Sequence, residues 1–156
     1  MATPTYTALA TTTTSGGETS VTFGSIPQTY RDLILTINGT QSSANATYYV
    51  NGETATTNYS AVRMYGLGGG SGTSASYTSD QRLWYAATTQ NLSIIQFMDY
   101  SATDKHKTVL SRSSAAAEIA QALVSRWANT DAITSITIDG MTFDAGNVIS
   151  LYGIEA

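Results

Sequence analysis

Short runs in which apolar and polar residues alternate recur from one end of this chain to the other, and Gly, Asn, Asp, Ser and Thr fill the gaps between them. Side chains of a strand point alternately to two faces, so such runs read as strands, and turn residues at short intervals mark an antiparallel sandwich or barrel. Asp32 to Asn38 is the clearest case. Leu33, Leu35 and Ile37 fall on one face and Ile34, Thr36 and Asn38 on the other, and Asn38-Gly39 follows as a turn with φ > 0.

Thr5 to Thr11 and Ser20 to Phe23 read as strands joined across Thr12 to Glu18, where Ser15-Gly16-Gly17 breaks any regular element. Ile26-Pro27 closes the second, because proline has no N–H for a ladder. Tyr48 to Val50, stopped by Asn51-Gly52, and Ala61 to Tyr65 follow. Gly66 to Ser79 holds too little apolar surface to offset the entropy of ordering it, and is expected as an exposed loop or arm within a single domain spanning residues 1–156. Beyond it lie Arg82 to Ala86 and Leu92 to Tyr100. The second of these carries Leu92, Ile94, Met98 and Tyr100 on one face and Ile95 and Phe97 on the other, so both faces are expected to be largely buried. Thr108 to Ser111, Ile133 to Ile138 and Asn147 to Ile154, the last two separated by an Asp139-Gly140 turn, bring the total to about eight to ten strands.

Ser114 to Asn129 is ambiguous. The alanines at 115, 116, 117, 120 and 122 favour a helix, and Ile119, Leu123 and Trp127 recur every fourth residue. Spacings of four also satisfy a period of two, so periodicity leaves helix and strand open here.

Composition narrows the function. Thr and Ser exceed a quarter of the residues, whereas only 12% are charged and the formal net charge is -4, so there is no electrostatic footprint for a phosphate backbone and nucleic acid is not an expected partner. There is no cysteine, which removes disulfides, thiolate metal sites and cysteine nucleophiles. No run of apolar residues has the length of a signal peptide or a membrane helix, and neither export nor a membrane partner is expected.

Candidate chemistry is sparse. The single histidine, His106, lies in the polar stretch Asp104-Lys105-His106-Lys107, away from any Gly-x-Ser-x-Gly elbow. Of the acids, Asp99 and Glu118 are the least turn-like and are the pair a glycoside hydrolase would use. Asp99 and Asp104 lack EF-hand spacing for calcium, and Gly66 to Gly72 lacks the lysine of a phosphate-binding loop, so no cofactor and no enzymatic activity are expected. Aromatic residues give the strongest binding signal. Tyr48, Tyr49, Tyr59, Tyr77 and Trp84 cluster in the middle of the chain as candidate contacts for a partner or a sugar, although each of them except Tyr77 reads first as core.

Three stretches belong together: Tyr6 to Ala10 with Val21 to Leu33 (Val-Thr-Phe-Gly-Ser-Ile-Pro-Gln-Thr-Tyr-Arg-Asp-Leu), Trp127 to Ile138 (Trp-Ala-Asn-Thr-Asp-Ala-Ile-Thr-Ser-Ile-Thr-Ile), and the ending Ser150 to Ile154. This arrangement resembles the small β-rich virion proteins of tailed bacteriophages, leaving Gly39 to Lys107 unmatched. The resemblance implies a jelly-roll-like sandwich on the particle surface, with Glu118 to Trp127 as a strand, although a short helix at Ser114 to Gln121 stays open because of the alanine run. Tyr6 to Ala10 and Ser150 to Ile154 are suited to pair and tie down both ends. Functionally it implies a capsid decoration (cement) protein. Such a protein would form a homotrimer or other symmetric cluster and bind the major capsid protein or another virion protein through Thr40 to Ala46 and Gly66 to Ser79. The alternative is a carbohydrate-binding tail-fibre module that holds host surface glycan.

Overall fold

A computed structural model describes residues 5–40, 45–67, 70, 72–85, 89–115 and 119–155. Twelve strands form: β1 (Tyr6–Thr13), β2 (Val21–Phe23), β3 (Asp32–Gly39), β4 (Asn45–Val50), β5 (Tyr59–Leu67), β6 (Gly72–Thr78), β7 (Arg82–Tyr85), β8 (Asn91–Met98), β9 (Lys107–Ala115), β10 (Ile119–Trp127), β11 (Ile136–Asp139) and β12 (Val148–Ile154). They make an eight-stranded sheet in the order β1-β12-β3-β8-β9-β10-β5-β6 and a four-stranded sheet in the order β2-β11-β4-β7.

The order contains a simple rule. β1 pairs with β12, β2 with β11, β3 with β8 and β4 with β7, all antiparallel, so the chain closes on itself as one long nested ribbon. Successive layers of the ribbon fall alternately in the two sheets, and β12–β3 and β11–β4 ladders join the layers side by side. This is the double-sheet winding of a jelly roll. The hairpins β5-β6 and β9-β10 are additions to it, and they extend the larger sheet beyond β8. The expected pairing of the chain ends is present, with Tyr6 opposite Ile154.

The core lies between the sheets. Leu33, Leu35, Ile37, Ile95 and Phe97 from the larger sheet meet Tyr48, Val50, Ile136 and Ile138 from the smaller, all fully buried. The alternation read from Asp32 to Asn38 is therefore realised, with Leu33, Leu35 and Ile37 inward. Asn51-Gly52 forms its turn with both residues at φ > 0 and Glu53 N donating to Val50 O at 2.8 Å. Gly140 also turns at φ +81.

Three expectations are corrected. Gly66 to Ser79 is not an arm throughout: Gly72–Thr78 is strand β6, paired along its length with β5. Its small side chains build no core, but the β5 edge supplies the backbone partners that make one unnecessary, and the strand count rises accordingly. Within Ser114 to Gln121, residues 114–115 and 119–121 are strand, not helix, while 116–118 lie outside the described residues. Partners on both sides of β10 outweigh the helix propensity of alanine, and Ile119, Leu123 and Trp127 share the inner face as period two allows. Gly39 ends β3 without positive φ. A Cβ there would fall 1.8 Å from Asn147 Oδ1, so close approach, not a turn, requires the glycine.

Candidate docking surface

The outer face of the eight-stranded sheet carries the most distinctive chemistry among the described residues. Because side chains alternate, the residues that face away from the smaller sheet can be followed across the strands by register. One row runs Val62, Val124, Leu110, Gln96, Ile34 and Tyr152. The next runs Met64, Ala122, Arg112, Ile94, Thr36 and Ser150, and a third Gly66, Ala120, Ser114, Leu92, Asn38 and Val148.

Large apolar side chains on this face stand in water. Met64 is 62% exposed, Val62 52%, Leu92 48% and Val124 47%, and Tyr6 and Met98 extend the patch at its margin. Charge is nearly missing from the same face. Arg112 and Arg126 are its exposed ions, while Asp32 is buried beneath Gln96 Nε2 and the Asp99 amide, both donating to it at 2.9 Å. A sheet of eight strands is about 34 Å wide, and strands of seven to nine residues make it about 25 Å tall, so the face spans roughly 850 Å². The exposed apolar side chains fill part of that span, interspersed with Gln96, Thr36, Asn38 and Ser114, and contiguous apolar patches of a few hundred Å² mark binding surfaces.

Shallow depressions follow the β5, β6 and β10 rows, one lined by Met64, Gly66, Ser74, Ala120 and Ala122, another by Val62, Ser76, Thr78 and Val124. They are open and shallow, the shape of a protein contact more than of a small-molecule cleft.

The aromatic residues singled out from the sequence do not assemble into one site. Tyr48 and Tyr59 are core: their rings meet edge to face at 5.6 Å, and Tyr48 meets Phe97 likewise at 5.7 Å. Burial raises both phenols, Tyr59 to about 12, and keeps both protonated. Tyr48 Oη shares a hydrogen bond with Ser125 Oγ at 3.0 Å, and Tyr59 Oη donates to Glu53 O at 3.0 Å while accepting from Val50 N at 3.2 Å. A ring enclosed in this way stacks on no ligand. Tyr49, on the opposite face of β4, is half-buried against the core. Tyr77 is half-buried on the edge strand with the Arg82 guanidinium 4.4 Å over its ring. Trp84 lies in β7 opposite Ala46, and its side chain is outside the described residues.

Asp99 proves to be a turn residue after all, at φ +46 and bonded to Lys105 Nζ at 3.2 Å; Glu118 lies outside the described residues. His106 is exposed in the β8–β9 connection. Lys107 alone in this segment is enclosed, its ammonium donating to the carbonyls of Ala102 (2.6 Å), Lys105 (3.1 Å) and Thr130 (3.0 Å).

The exposed apolar face is not among the features expected from the sequence. Its signal was present in Leu92 to Tyr100, where apolar residues occupy both strand faces: Ile95 and Phe97 are buried as expected, but Leu92 and Met98 are not. A two-sided apolar strand in a two-layer fold must leave one side to solvent or to a partner.

No protein-family model, curated protein or solved structure matches the chain.

Proposed function

We propose that this chain is a structural protein of a tailed-phage particle, a capsid decoration protein that docks on the assembled shell through the outer face of its eight-stranded sheet. The observation that carries the reading is that broad, almost uncharged apolar face. The resemblance of the chain's two ends to small virion proteins supplies the particle, and the jelly-roll winding agrees with that resemblance. The face supplies the means of attachment. Its estimated area of roughly 850 Å² is close to the ~800 Å² that each partner contributes to a stable interface.

The mechanism needs no reacting group. A protein that binds only the assembled shell stabilises it by mass action, and copies repeated over a particle multiply a modest contact. Arg112 and Arg126 would set orientation by meeting carboxylates on the shell surface.

The test is co-sedimentation of the purified protein with tailed-phage capsids stripped of accessory proteins, beside a Val62→Lys/Val124→Lys variant. Binding that saturates at a fixed ratio to shell subunits, raises the disruption temperature and is lost in the variant is the expected result. No binding by the unmodified protein overturns it. Binding to a glycan array or host cells instead would transfer the role to the sugar-holding alternative, with Tyr49 and Tyr77 as the contacts still open to solvent.

A further inference from the structure

The edges of the two sheets differ in how well they are guarded. The smaller sheet ends in β2 and β7, strands of three and four residues, too short to template another chain. At one end of the larger sheet, β1 is interrupted by a bulge between Ala8 and Ala10. At the other end β6 has none of these protections. It runs seven residues in unbroken register with β5, carries no charge and no proline, and is largely exposed. Among the described residues its backbone makes no bond outside the sheet. An edge of this kind offers a row of unpaired N–H and C=O groups to any extended strand.

The sequence of β6 selects the strand that fits. In Gly72-Thr73-Ser74-Ala75-Ser76-Tyr77-Thr78 the positions equidistant from Ala75 are Ser74 and Ser76, Thr73 and Tyr77, and Gly72 and Thr78, all uncharged, so a second copy of the strand can lie against it without a like-charge contact. We propose that two copies of this chain pair through β6, antiparallel, across a twofold axis at Ala75 and perpendicular to the sheet. Ser74 of each copy then faces Ser76 of the other, Thr73 faces Tyr77 and Gly72 faces Thr78. Hydroxyl pairs and an aromatic opposite a β-branched residue are favourable cross-strand neighbours, and no like charges oppose one another. Such an interface is isologous, so it closes at two copies. The product is a continuous sixteen-stranded sheet with both apolar outer faces on the same side. This pairing does not depend on the phage reading, and it gives two copies where a trimer was expected from the sequence.

The experiment is sedimentation equilibrium on the full chain over a wide concentration range, with two variants at the exposed positions 74 and 76. Ser74→Lys/Ser76→Lys sets lysine against lysine at both symmetric contacts and is expected to weaken association about tenfold. Ser74→Lys/Ser76→Glu sets lysine against glutamate in this register and is expected to associate at least as well as the unmodified chain. Both variants should melt with the unmodified protein, because neither side chain contributes to the core. An unmodified chain that stays monomeric at every concentration overturns the proposal. So does a Lys/Lys variant that associates undiminished, or a Lys/Glu variant that dissociates as the Lys/Lys variant does.

Discussion

The two halves of the larger sheet present the same apolar outer face but different inner ones. In β12, β3 and the second half of β8 the inward residues are mostly apolar, with Leu33, Leu35, Ile37, Ile95, Phe97, Ile149 and Leu151 against the smaller sheet, while Asn91 and Ser93 are buried at the start of β8. In β9, β10, β5 and β6 the inward positions alternate between apolar residues and Ser111, Ser113, Gln121, Ser125 and Arg63. Gln121 Nε2 donates to Ser113 Oγ at 2.6 Å, while the buried hydroxyl of Ser111 has no hydrogen-bond partner among the described residues. Apolar burial is thus denser in the jelly roll, while the extension adds Tyr59, Val109 and Trp127 to the same core and relies more on its ladders elsewhere. An element added for its outer face needs only enough inner packing to hold register.

This difference sets the scale of the largest expected effect. Phe97→Ala opens a cavity in the jelly-roll core and should cost about 3–5 kcal/mol, whereas Leu123→Ala, deep in the extension but beside serines, should cost nearer 2 kcal/mol. Urea midpoints with unchanged slopes would measure both. Equal losses would mean that the two halves form one uniform core.

Next comes Lys107, where the extension begins. Its ammonium ties the Ala102 and Lys105 carbonyls to that of Thr130, joining the β8–β9 and β10–β11 connections. Lys107→Met keeps the length and removes three charged hydrogen bonds to part-buried carbonyls, an expected loss of about 2 kcal/mol. A loss under half that would show that these connections hold without the cation. A smaller effect of opposite sign is expected inside the extension: Ser111→Ala removes an unpartnered buried hydroxyl and should stabilise by up to about 1 kcal/mol in the same urea assay.

The same contrast explains what could be read from the sequence. Asp32 to Asn38 and the ending Ser150 to Ile154 were legible because apolar residues recur at alternate positions, Leu33, Leu35 and Ile37 in the first and Leu151 beside Ile149 in the second, and Asn51-Gly52 because its turn chemistry is local. β6 was not, because Gly-Thr-Ser-Ala-Ser-Tyr-Thr bears no apolar pattern and becomes a strand only when β5 offers its edge. The aromatic candidates failed as a group because burial depends on the partner sheet: Tyr48 and Tyr59 point between the layers, and nothing local distinguishes them from Tyr49. The outer face stayed hidden for a related reason. Apolar residues in strands are normally assigned to a core, and only the layer count shows that Val62, Met64 and Val124 have no layer above them.

The smallest effect is one of pH, and it separates the halves by charge. Glu18 closes the loop after β1 by accepting from Ser15 Oγ at 2.6 Å, Ser15 N at 2.8 Å and Gly16 N at 2.8 Å. These bonds, the Ser15 side chain first, hold its carboxyl down from 4.5 to about 2. A carboxylate favoured by the folded state contributes stability that is full above 4.5 and is lost as pH falls through about 2. The loop is also bonded to the segment before β12, through Gly17 N to Phe143 O and Phe143 N to Glu18 O, both at 2.9 Å, so acid should loosen the jelly-roll side first. The strands β5, β6, β9 and β10 contain no carboxylate and should not respond in that range. In an amide NMR titration, Ser15 and Gly16 should therefore shift with a midpoint near 2, and Ser15→Ala should move that midpoint back toward 4.5. A common midpoint for loop and extension amides would instead mean that acid unfolds the domain as one unit, and that the two halves, however differently packed, are not separable in stability.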